Sequence, residues 1–160
     1  MRPERQPRKS RTNAMITRKG PPAEPAHPTA RLRAAGLRPT RQRRLLAELL
    51  FKHGDRHVTA ELLHQEASET GCPVSLATIY NALHQFTAAG LLRQVVVEST
   101  RSYFDTNTNR HQHFYDEEQG ELIDIAGDSI AVTGVPEPPE GMAVAQVDVV
   151  VRIRQASKSL

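Results

Sequence analysis

Two groups of residues in this 160-residue sequence have types and spacing suited to chemistry: the pair His111 and His113, and the run Ser75–Asn81. Alternate residues of an extended segment leave the same side, so both imidazoles of His111-Gln112-His113 face one way. Rings presented together can ligate a metal ion; they can equally be surface rings hydrogen-bonded to acids. The second group suits a polyanion. Ser75 opens an apolar pattern of helical period, which places its hydroxyl, that of Thr78 and the free N–H groups of a helix start where a phosphate can be held. Asn81 carries the paired donor and acceptor that match adenine in the major groove, a contact worth about 1–3 kcal/mol of discrimination. By spacing alone, Tyr80 reads as a core residue with its hydroxyl at the surface.

The charge distribution gives these groups a setting. Net charge is +3, but residues 1–30 carry seven Arg or Lys against Glu4 and Glu24, and residues 31–57 carry eight more against Glu48 and Asp55. Between residues 108 and 149 the sign reverses, with nine acids facing Arg110 alone. One half facing a polyanion and another with a separate task explains this asymmetry; so does a solvated basic tail beside an ordinary acidic surface. One cysteine, Cys72, excludes an internal disulfide or a thiolate zinc cluster within one chain, and fits a reducing cytoplasm. No apolar run is long enough to span a membrane, and the basic N-terminus lacks the apolar core of a secretory signal.

The elements that must position these residues follow from capping and periodicity. Residues 1–30, with six prolines and no apolar period, read as a disordered basic tail, within which Met15 is a candidate true start. A short helix is expected over Leu32–Leu37, closed by Gly36. A second runs over 41–52, capped by Thr40, with Leu45, Leu46, Leu49 and Leu50 on one face. A third starts at Thr59, buries Leu62, Leu63 and Ala67, and stops at Gly71. A fourth starts at Ser75, aligns Leu76, Ile79, Tyr80, Leu83 and Phe86, and ends at Gly90. The period then changes to that of a hairpin, Leu91–Val97 and Ser102–Asp105 around a turn at 98–101. Helices followed by a hairpin give the order of a winged helix. Farther on, Phe114-Tyr115 and Glu121–Ile125 read as strands around Gln119-Gly120, and Val147, Val149, Val151 and Ile153 share one face of a last strand. So small a sheet buries little apolar surface, and pairing with a second copy is the expected remedy. The fold expected is α+β: a tail over 1–30, a winged helix-turn-helix DNA-binding domain over 31–106, and a small α/β sensing and dimerisation domain over 107–155.

Residue identity adds to this. Leu32-Arg33-Ala34-Ala35-Gly36-Leu37-Arg38-Pro39-Thr40-Arg41-Gln42-Arg43, then His57-Val58-Thr59-Ala60-Glu61, then Ser75-Leu76-Ala77-Thr78-Ile79-Tyr80, then Ala89-Gly90-Leu91 resemble the ferric uptake regulator family, and more closely its iron response regulator branch. The resemblance runs from about residue 31 to 155. It implies a homodimeric winged-helix transcriptional regulator, mainly a repressor, binding double-stranded operator DNA under control of iron, haem or another metal. In such proteins the position of Arg38 enters a minor groove and that of Tyr80 touches thymine methyls. Many relatives have arginine where Asn81 stands here, which implies a different operator. Arg101, at the hairpin turn, joins Arg38, Ser75, Thr78, Tyr80 and Asn81 as a DNA-binding candidate.

The family's sensor site takes a histidine at the start of the second DNA-binding helix, an acid ending the wing, two histidines on the linker strand and an acid eleven residues on. His57, Asp105, His111, His113 and Asp124 match, a set of nitrogen and oxygen donors suited to Fe, Mn or Zn. A Cys-x-x-Cys clamp is replaced at Asp116 and Gln119, and a second family site is missing its ligands at Arg110, Gln112 and Ala131. Haem is the other implied cofactor. Cys72-Pro73 matches the dipeptide of haem regulatory motifs, and His111 with His113 stands where that branch carries a triple histidine, its first member replaced by Arg110. Two further readings stand beside the regulator: a metal-independent architectural nucleic-acid binder with inert histidines, and a hydrolytic metalloenzyme. The last has no His-Glu-x-x-His helix or comparable base at fixed spacing, and a fully ligated ion leaves no position for substrate water.

Overall fold

The computed structural model describes residues 27–98, 100–126 and 129–156. Four helices come first. Helix α1 (Pro28–Ala34) begins with proline, whose fixed φ and missing N–H suit a first turn, and His27 caps it by accepting from the Thr29 N–H. The tail boundary expected at residue 30 therefore falls inside a helix; the rest of that tail, with Met15, lies outside the described residues. Helices α2 (Arg41–Phe51), α3 (Ala60–Glu69) and α4 (Leu76–Ala88) are capped by Thr40, Thr59 and Ser75, each hydroxyl accepting from the backbone N–H three residues on. Gly90, at φ +76°, closes α4, where the Leu91 N–H turns back to the Phe86 carbonyl.

These helices share one core, in which Leu32, Leu46, Leu50, Leu63, Ile79, Leu83 and Phe86 are fully buried. Three residues expected inside are not. Leu62 is 40%, Leu76 37% and Tyr80 36% exposed. The buried stripe of α4 is Ile79, Ala82, Leu83 and Phe86; Tyr80 follows Ile79 by a 100° step around the helix and leaves that stripe.

Two three-stranded sheets follow. In the first, ordered β1-β3-β2, β2 (Arg93–Glu98) and β3 (Arg101–Asp105) form the expected hairpin, and β1 (His57–Val58) adds an edge that local sequence did not announce. In the second, ordered β5-β4-β6, β4 (Gln112–Asp116) pairs antiparallel with β5 (Glu121–Ile125) and parallel with β6 (Val150–Ile153). The last strand is shorter than the alternation from Val147 suggested. The tight β4–β5 turn uses Gly120 at φ +67°, with Asp116 accepting from the N–H groups of Glu118 and Gln119. The chain is α+β, and among the described residues its second half consists of strands and loop.

A smaller core joins the sheets: Val95, Val97 and Tyr103 of the hairpin pack against Tyr115 and Leu122. Polar contacts run alongside it. Arg152 of β6 donates to the Val97 carbonyl, and the Tyr103 hydroxyl donates to the Gly120 carbonyl. The hairpin is thus seated on the second sheet along its length.

Candidate metal centre

Each sheet contributes one histidine and one aspartate in cross-strand register. His57 of β1 lies opposite Asp105 of β3, and His113 of β4 lies opposite Asp124 of β5. His111, just before β4, adds a third ring. One ligand atom from each of His57, Asp105, His111, His113 and Asp124 falls within 4.8 Å of all the others. The His57 Nε2 atom is 2.9 Å from Asp124 Oδ1, and the His111 Nε2 atom is 2.9 Å from Asp105 Oδ2. The same two oxygens lie 3.6 Å and 3.3 Å from His113 Nε2.

Close approach is not the same as pairing here. The Nε2 atoms of His57 and His111 are buried and, despite the short distances, make no well-directed hydrogen bond. A buried polar atom left so costs about 1–3 kcal/mol, which calls for a partner. Three nitrogens and two carboxylate oxygens aimed at a common point, with two nitrogens orphaned, fit a divalent cation between them. The rings are also oriented for it. His111 Nδ1 sits 2.8 Å from the Asn109 carbonyl, which fixes the proton on Nδ1 and leaves the Nε2 lone pair facing inward.

Electrostatics agree. Burial disfavours a charged His57 ring, but Asp105 and Asp124 beside it outweigh that and raise its pKa. Burial also opposes charge on Asp105, yet the His113 and His57 rings and the Asn107 N–H, 2.8 Å from Oδ1, hold its carboxyl well below the usual carboxylate range. The acid stays ionised, ready to ligate. Asn107 and Asn109 were not singled out from sequence; their neighbourhood to Asp105 and His111 is the local signal that marks them.

Haem finds no support at these histidines. His111 and His113 are 5% and 1% exposed, with Nε2 atoms facing two carboxylates, so no open face remains for a porphyrin plane. Cys72, the other haem candidate, is half-buried in the loop before α4, and its sulfur accepts from Arg41 Nη2 at 3.3 Å.

The DNA-binding candidates divide. Ser75, Tyr80 and Asn81 are exposed on the N-terminal part of α4, and Arg38 is exposed in the loop before α2. The Thr78 N–H is taken by the Ser75 cap and the two hydroxyls lie 2.8 Å apart, so the donors left for a phosphate are those of Leu76 and Ala77. Tyr80 is no core residue: its hydroxyl donates to Glu61 at 2.7 Å and its ring lies nearly parallel to His84. That bond makes Glu61 a partner the sequence reading passed over. Arg101 has a second engagement. It is exposed and lines a cleft with Glu61 and Tyr80, but its guanidinium also donates to the Tyr115 hydroxyl of the second sheet at 3.0 Å.

Among the described residues no helix is long and apolar enough to cross a membrane. Comparison with known proteins points one way. The model of the ferric uptake regulator family matches residues 34–151. The peroxide-responsive repressor PerR of Staphylococcus aureus is 38% identical over 97 residues, 60% of this chain and 64% of PerR, so the match spans just under two thirds of that relative. The ferric uptake regulator of Pseudomonas aeruginosa, solved with manganese, is 27% identical with a TM-score of 0.60, covering 79% of this chain and 96% of that one. That of Vibrio cholerae has a TM-score of 0.62 at 23% identity, over 79% of this chain and 98% of its own, a likeness of fold. With a family match across most of its length and the fold of solved members, this chain belongs to the ferric uptake regulator family.

Proposed function

We propose that the chain is a metal-responsive transcriptional regulator, chiefly a repressor, that binds operator DNA as a homodimer and belongs to the iron response branch of its family. The observation that carries this reading is the convergence of five ligand atoms, from two sheets, within 4.8 Å. His57 and Asp105 belong to the sheet that packs with the DNA-binding helices, while His113 and Asp124 belong to the second sheet. A bound divalent cation supplies an electrophile shared by all five groups. The residues do the rest: the aspartates hold negative charge in a buried place, Asn109 aims the His111 ring, and the two sheets are drawn to one relative position. In a dimer that position sets the spacing of two α4 helices, and spacing decides which pair of half-sites fits. Ser75, Tyr80, Asn81 and Arg38 are the residues proposed to meet the DNA.

Iron, manganese and zinc all suit this donor set, and the Pseudomonas aeruginosa relative was solved with manganese. We infer a bare ion rather than haem as the resident ligand, because the histidines are enclosed. The test selects tight binders from a random duplex pool with purified full-length protein. Affinity for the selected sequence is then measured with each metal and with a chelator. Metal should change affinity at least tenfold, and His113→Ala should abolish that response. Equal affinity with metal and chelator would leave a metal-independent architectural binder, and absence of any sequence selection would remove the DNA reading itself.

A further inference from the structure

A cleft near the five-residue cluster carries an inference independent of the regulatory reading above. The cleft, of about 370 Å³, opens between the base of the hairpin and the chain leading into β6, lined by Arg93, Arg110, Val144 and Val147 among others. That volume is in the range of small-molecule sites. Arg93 is nearly enclosed. Its guanidinium donates through Nη1 to the His111 carbonyl at 2.9 Å and through Nη2 to Asp148, while its Nε is buried without a partner. Of the five N–H groups of an arginine, these bonds engage two; the Nε is out of reach of a ligand, and the second N–H of Nη1 and of Nη2 remains to donate. Arg110 is exposed and joins no ion pair among the described residues.

The charge pattern makes this cationic lining conspicuous. Arg110 is the one base in a stretch that holds nine acids, and no acid lines the cleft, Asp148 being spent on Arg93. Val144, in the same lining, is 48% exposed. The lining therefore offers planar, charge-assisted donors together with apolar surface for a short carbon chain.

We propose that this cleft binds a small organic anion, with its carboxylate or phosphate on Arg93 and Arg110 and its short apolar body against Val144 and Val147. Arg93 would link the ligand to His111, whose carbonyl it holds and whose ring faces the Asp105 carboxylate.

The test is calorimetric titration of the full-length chain, stripped of metal so that chelation contributes no heat. The probes are succinate, n-butyl phosphate, inorganic phosphate and the neutral diamide succinamide. Saturable one-to-one binding of the carboxylate or the phosphate ester, and none of succinamide, is expected; whichever anion binds more tightly identifies the headgroup. Arg110→Gln should weaken it at least tenfold, and Val144→Asp, which sets a negative charge in the lining, should abolish it, with both variants unfolding at the parent temperature. No saturable binding of any anion would overturn the proposal. So would binding left unchanged in both variants, which would place the anion on the basic DNA-facing surface instead.

Discussion

At the residue scale, protons and the proposed metal would compete for the same ring nitrogens. In the metal-free chain, Asp105 and Asp124 hold a proton on His57 above its ordinary pKa in spite of burial, and an incoming ion must displace it. Apparent metal affinity should therefore fall as pH drops through the raised His57 value, and metal uptake near neutrality should release protons, read as heats that differ between buffers of unlike ionisation enthalpy. Stability of the metal-free chain carries two signs. The raised His57 pKa stabilises the fold fully below about pH 6.5, and that contribution is lost as pH rises through the folded value. Asp105, with its pKa depressed, stabilises above about pH 3.9 and loses its contribution as pH falls toward its folded value. Denaturation midpoints of metal-free protein between pH 5 and 8.5 should decline on the alkaline side, and adding metal should remove that decline. His113→Ala should weaken metal binding by at least about 100-fold, more than the loss of an orienting partner alone. The alternation of His111 and His113 was legible as a pair on one side of the chain. Their partners were legible through family resemblance alone, because three elements far apart in sequence supply them.

At the element scale, the helices were legible because their signals are local: a hydroxyl residue before an apolar period and a glycine after it. Thr40, Thr59 and Ser75 all cap as their positions implied. Ser75→Ala should cost about 1 kcal/mol, seen as a lower urea midpoint with an unchanged slope, while Ser75→Gly should cost a few tenths. What was not legible depends on distant partners. Two residues of β1 carry no pattern of their own and become a strand by lying against Phe104 and Asp105. The bond of Arg101 to the Tyr115 hydroxyl is of this kind, since only the packing of hairpin on sheet brings Tyr115 within reach. Tyr80 was misjudged for a related reason: an aromatic one step off a buried stripe looks much like one on it until the core is assembled.

At the scale of the whole molecule, a basic first part and an acidic second part are joined in one chain. The seven bases of the first 30 residues all precede residue 27, and each phosphate contact they make adds about 0.9 to the slope of log affinity against log salt. Deletion of residues 1–26 should reduce that slope by several units while leaving the selected DNA sequence unchanged, as measured by fluorescence anisotropy across a salt series. The sheet-to-sheet core makes a matching demand on folding. Leu122→Ala should cost about 2–5 kcal/mol and uncouple the hairpin from the second sheet, so that metal binding rescues part of the lost stability.

The parallel pairing of β4 with β6 has a consequence for how the protein is made. The backbone N–H of His113 is held by the Val149 carbonyl, that of Glu117 by Ile153, and the Gln112 side chain by the Val149 N–H. All five prospective ligands leave the ribosome by residue 124, yet the strand that steadies the central one, Val150–Ile153, follows them. A nascent or prematurely terminated polypeptide therefore carries the full ligand inventory without the scaffold that aims it. Order at the five positions waits on synthesis past residue 153, and a product truncated before β6 should bind a divalent metal more weakly than the full-length chain.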